Sequence, residues 1–157
     1  RMGWRRWAME LLLEDEGLTD NLTDDDARRL LEWGMAWVER WVQEMSPAAE
    51  GNSTEGHPPL SRDDALAKPE LGDKLRSLRQ VMRHINDLMG TRHTLSTAEL
   101  TARLGFLQGL AASQLRGGFE PWNEKIMSGM EAATRRLAVA ARDMDDGEFL
   151  KRILDLL

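Results

Sequence analysis

The segment from residue 24 to 45 carries apolar side chains over about 200° of helical arc, far wider than the roughly 100° stripe of a simple surface helix. Leu31, Met35, Val38 and Val42 hold one edge, while Trp33, Trp37 and Trp41, spaced four apart, hold the other. Arg29, Arg40 and Glu44 lie beside the indoles. One neighbouring helix cannot cover so wide a face. The preceding segment offers a first neighbour through Trp4, Trp7, Ala8, Leu11 and Leu12. A second has to come from the rest of the chain, a second copy, or another protein, and only a multi-helix assembly meets that demand.

The remainder of the chain also reads helical. β-Branched residues are scarce, and no stretch shows the period-two alternation a strand requires. Helices are expected near 3–15, 24–45, 70–89, 97–115, 121–144 and 146–156. Ser96 with Glu99 has the spacing of a capping box, and Leu95 with Leu100 that of a hydrophobic staple. Thr23 with Asp26 is a weaker version, with Asp24, Asp25 and Asp26 suited to the positive end of the helix dipole. Pro69 and Pro121 fit first-turn positions, and Gly90 and Gly117 fit helix stops. The recurring Leu22-Thr23, Leu60-Ser61 and Leu95-Ser96 pairs are shared capping grammar rather than duplication.

These signals give an all-α fold, a five- to six-helix up-down bundle with an N-terminal Trp-rich helical hairpin. Residues 1–45 form the hairpin, 46–69 a flexible linker, and 70–157 the C-terminal bundle, in one compact domain. The linker reading rests on four of the five prolines together with Gly51-Asn52-Ser53 and Gly56-His57-Pro58-Pro59. At 157 residues the chain buries enough surface to fold without a metal or disulfide.

Three further faces follow from helical spacing. Leu71, Leu75, Leu78, Val81, Met82, Ile85, Leu88 and Met89 share a stripe, with Arg76, Arg79 and Arg83 on another side. In the helix 121–144, Trp122, Ile126, Met130, Ala133, Leu137, Ala141 and Met144 face inward. In the helix 97–115, Ala98, Ala102, Gly105, Gly109 and Ala112 line up opposite Leu100, Leu104, Leu107 and Leu115. Each Gly costs roughly 1 kcal/mol against Ala in a helix interior. The stripe is therefore expected to admit another backbone, with this helix at the centre of the C-terminal bundle. Arg103, Gln108 and Gln114 interrupt it too often for a membrane dimer.

No cysteine is present, which removes disulfides, thiolate zinc sites and thiol nucleophiles. The acidic run from Asp15 to Asp26 does not follow the calcium-loop ligand order and is interrupted by Leu18 and Leu22. His57, His84 and His93 form no metal-ligand pair, so neither metal nor cofactor is expected. Arg1 ahead of Met2 is expected to be an expression remnant, with Met2 the native start. No targeting segment or membrane span is read, and the expected setting is a bacterial cytoplasm.

No hydrolase elbow, P-loop or dinucleotide fingerprint occurs, so no catalytic residue is assigned and a non-enzymatic role is expected. That role is helix–helix interaction, with a homodimer or a helical protein partner bound through Trp33, Trp37, Trp41, Arg29, Arg40, Trp4 and Trp7. The bland counterpart is that these indoles are core. One rival role is a small apolar-ligand pocket between helices. Another is an accessory subunit of a nucleoprotein complex using Arg76, Arg79, Arg83 and Arg92, which the net charge of −6 and flanking Asp73 and Asp87 disfavour.

Overall fold

The computed structural model describes residues 3–45, 69–117 and 124–157, with the side chains of 124–127 excepted. The expected linker lies outside the described residues apart from Pro69, as do His57, Gly118, Pro121 and Trp122.

Six α-helices follow one another among the described residues: α1 (Gly3–Leu13), α2 (Asp24–Met45), α3 (Pro69–Thr91), α4 (Thr97–Gln114), α5 (Glu124–Ala140) and α6 (Asp146–Leu156). The fold is all-helical, and one continuous core draws on every described helix. The bounds of α2 and α6 coincide with those expected. At α4 the capping box is complete, with the Ser96 N–H donating to Glu99 Oε1 at 2.9 Å and the Glu99 N–H donating to Ser96 Oγ at 3.1 Å. That first hydrogen bond also holds the Glu99 carboxyl below its ordinary pKa.

The helix expected over 121–144 ends earlier, at Ala140, and a 3₁₀ turn at Ala141–Asp143 replaces its last turn. The reason is the cap of α6. Asp145 Oδ1 accepts from the Glu148 N–H at 2.8 Å, and a capping residue needs extended backbone, as does Met144 before it. The joint between α3 and α4 has the same form, with a 3₁₀ turn at Arg92–Thr94, an extended Leu95 and the Ser96 cap.

The helix that gathers the whole fold is α3, while α4, expected at the centre of the C-terminal bundle and contacted on two sides, does have helices on two sides. Against α3 pack α1, α2, α4 and α6, whereas α4 lies between α3 and α5. The whole apolar stripe of α3, from Leu71 to Met89, is buried. The first part of the small-residue stripe of α4 faces outward: Ala98, Ala102 and Gly105 are exposed, and among the described residues a Cβ at Gly105 or Gly109 would meet nothing within 4 Å, whereas Gly109 is only partly exposed and Ala112 is buried. Gly34 on α2 is a glycine that a neighbour does crowd, for a Cβ there would lie 3.0 Å from Met82 Sδ on α3.

The expected stop at Gly117 is present: its φ of 82° lies in the left-handed region that glycine enters without cost. Gly90 is not a stop, since α3 runs through it to Thr91. Its smallness admits the connection between α1 and α2, because a Cβ there would sit 2.6 Å from the Asn21 amide. Asn86, buried on the apolar side of α3, ties down that connection. It accepts from the Asn21 N–H at 2.9 Å and donates to the Gly17 carbonyl at 3.0 Å. Leu18, from the same connection, is buried in the core.

Candidate interaction surface

The broad face of α2 is covered within the chain by α1, α3 and α6. Its indoles do not share one environment. Trp41 is 2% exposed, and Trp4 and Trp7 on α1 are buried as well. These three belong to the core and, in this conformation, present no surface to a partner. Trp33 and Trp37 are only partly buried and pack against the edge of that core. Of the indoles, Trp33 and Trp37 are thus the ones a partner could reach, with Trp41 beside Trp37.

The exposed edge of α2 is polar at its rim and aromatic at its middle. The Arg40 guanidinium lies over the Trp37 ring, 5.4 Å from its centroid, and pairs with Glu44 at 3.6 Å. Trp37 leans on Trp41 with centroids 5.9 Å apart and a tilt of 35°. Lys74, from α3, covers the other indole at 5.1 Å. Arg29 is exposed and donates to the Gly147 carbonyl at 3.2 Å, fastening α2 to the start of α6. Ala36, between the two edge indoles, is also exposed.

A groove of about 590 Å³ runs along the opposite edge of α2, where it meets α1. Met9, Leu31 and Met35 form its apolar floor, and Arg5, Arg28 and Glu32 stand on its rim. Arg5 bridges to Glu39 at 3.5 Å across the two helices. A smaller hollow of about 320 Å³ separates α3 from α4, lined by His84, Asp87 and Phe106 among others. Phe106 is 58% exposed and meets His84 edge-on at 5.3 Å.

The four arginines read as a possible nucleic-acid face are not presented alike. Arg76 pairs with Asp73 on its own helix. Arg79 donates to the Leu11 carbonyl at 2.8 Å and lies 3.7 Å from Glu14. Arg83 grips Asp15 through both Nε and Nη2, the former at 2.7 Å. These contacts fasten the end of α1 to α3 and leave less positive charge for a phosphate. Arg92 is a correction to the sequence reading, since it is 2% exposed and its side chain reaches from the first 3₁₀ turn to the carbonyls of the second. One signal was present in the sequence: Arg92 continues the Ile85, Leu88 and Met89 spacing, which is the buried side of α3.

The Arg83 hydrogen bond holds the Asp15 carboxyl below its usual pKa of 3.8, aided by the Gly17 N–H. A carboxylate with a depressed folded-state pKa stabilises the fold above its unfolded value, and the gain is lost as pH falls through the folded value. We therefore expect Arg83→Ala to be less stable than the wild type at neutral pH. The gap should close as the pH drops below 3.8. Urea midpoints of the two proteins across an acid series read the difference directly, and a gap independent of pH would refute the assignment.

Among the described residues no group of three or more His, Cys, Asp or Glu is placed to hold a metal ion, and no helix is long and apolar enough to cross a membrane. No family model, curated protein or solved structure matches the chain.

Proposed function

We propose that the chain is a non-enzymatic helical interaction module that self-associates through the exposed edge of α2. In this reading α1 and α2 are a Trp-rich helical hairpin docked on an up-down bundle. The short joints at 92–96 and 141–145 favour antiparallel neighbours and so support that topology. The observation that carries the reading is the pair of partly buried indoles, Trp33 and Trp37, bordered by Arg29, Arg40 and Glu44 on one helix. Trp and Arg dominate interface hot spots because they join large apolar area to a polar handle.

The test is sedimentation of the intact protein against its Trp37→Ala variant. A reversible dimer is expected, and truncating a central indole should cost about 2 kcal/mol or more in association. A wild type that stays monomeric at high micromolar concentration would end the reading. A second reading draws on the α1–α2 groove, whose Met9, Leu31 and Met35 floor and Arg5 and Arg28 rim would suit a small apolar ligand with an acidic head. Saturable binding of an alkyl carboxylate, abolished by Met35→Trp, would favour it.

A further inference from the structure

On α2 the residues Arg29, Trp33, Ala36, Trp37, Arg40 and Glu44 fall within a ribbon about 100° wide at the helical repeat of 3.6 residues per turn. Four of the six are exposed and the two indoles partly so. The ribbon is complementary to itself in reverse. A two-fold axis crossing between Ala36 and Trp37 sets Arg29 of one helix against Glu44 of the other. The same axis sets Trp33 against Arg40, and brings Trp37 and Ala36 each beside its own copy on either side of the seam. Each position meets another member of the same set or its own neutral copy, and each meeting is favourable: cation with anion, guanidinium with indole face, ring with ring, and a small side chain with a small one.

Other arrangements do not share this property. Parallel helices would bring Arg29, Arg40 and Glu44 each against its own copy, like charge on like. Sliding the antiparallel pair one turn toward its N-terminal ends places Arg29 on Arg40. The opposite slide carries the facing position of Arg29 past Met45, where α2 ends.

We propose that the partner of this surface is a second copy of the chain, bound with α2 antiparallel to α2 in this register; the proposal rests on the self-association reading. Arg29 and Glu44 are the register-setting residues. Their carboxylate and guanidinium groups meet only between subunits, since on one helix they stand roughly 22 Å apart at 1.5 Å per residue.

Sedimentation equilibrium of the full chain tests it with Arg29→Glu, Glu44→Arg and the double exchange. Either single reversal is expected to weaken the dimer roughly tenfold, a loss of about 1.4 kcal/mol over the two symmetry-related pairs. The double exchange should restore most of that loss, and no contact within one subunit can produce such a rescue. Because Arg29 also holds the Gly147 carbonyl, a second measurement avoids that residue. The chain has no cysteine, so Ala36→Cys introduces a sole thiol beside the axis, where oxidised glutathione should link two subunits through a disulfide. Thr97→Cys, at the start of α4, should remain monomeric under the same treatment. A dimer indifferent to the charge exchange and not linked at residue 36 would overturn this register while leaving self-association standing. A monomeric wild type would overturn both.

Discussion

Replacing Trp41 with Ala should cost about 3–5 kcal/mol of folding free energy, the range for removing a fully packed aromatic side chain. Trp41 is 2% exposed, leans on Trp37 and carries Lys74 over its ring. Its loss would strip van der Waals contacts from both neighbours and leave a void that the surrounding helices refill only in part. Natural domains hold roughly 5–15 kcal/mol in total, so the variant should unfold at a much lower urea concentration, with an unchanged slope if the transition stays two-state. Trp37→Ala, at the half-buried edge, should unfold closer to the wild type while altering association. The contrast separates core from surface on a single helix. A Trp41→Ala loss below about 1 kcal/mol, within the common range of ordinary substitutions, would show that its burial contributes little.

The difference between these indoles was not visible as a stripe of three. Residues spaced four apart advance 400° on the helix, so each step drifts 40° around its axis. Trp33 and Trp37 therefore stand at the core boundary and Trp41 inside it. Side-chain spacing defined the breadth of the α2 face, but which part of it a neighbour covers depends on where α1, α3 and α6 cross it. Those crossings are tertiary facts.

Local signals fared differently from contact signals. The Ser96 and Glu99 pair announced the start of α4 because capping is completed within one turn. The end of α5 was misjudged because Asp145 acts as a cap only once Met144 is extended, and apolar spacing through Ala141 and Met144 hid that break. The glycines of α4 were read as a point of close approach, yet no described residue crowds them, while Gly34 and Gly90 carry the crowded positions. Asn86 is a polar residue on an apolar stripe, and its spacing carries no signal of a role. In the fold it holds two backbone groups of the α1–α2 connection, which no helical periodicity encodes. Of the candidate surface, the residue types were legible and their division between core and edge was not.

Arg92 gives the second large effect. Its Nη1 donates to the Ala141 carbonyl at 3.2 Å and the Met144 carbonyl at 2.9 Å, while Nη2 reaches Asp146 Oδ1 at 2.5 Å. The guanidinium also lies over Phe149, 4.7 Å from the ring centroid, and beside His93 Nε2 at 3.1 Å. One side chain thereby binds the α3–α4 joint to the α5–α6 joint. Arg92→Ala would leave the Met144 carbonyl without that donor, at about 1–3 kcal/mol for a buried group left unpaired, would strip the Ala141 carbonyl of one of its two donors, the Met144 N–H remaining, and would remove the cover from Phe149. We expect a loss of about 3 kcal/mol, toward the lower end for a broken buried ion pair, because the Asp146 side chain is 55% exposed and screened by water. Asp146→Asn should accordingly cost less than about 1 kcal/mol. Lysine restores the charge but not the planar fork that serves both carbonyls and the carboxylate together, so Arg92→Lys should recover less than half of the loss. Chemical denaturation of the three variants orders these contributions. If Asp146→Asn proved as costly as Arg92→Ala, the ion pair rather than the carbonyl contacts would be what holds the two joints together.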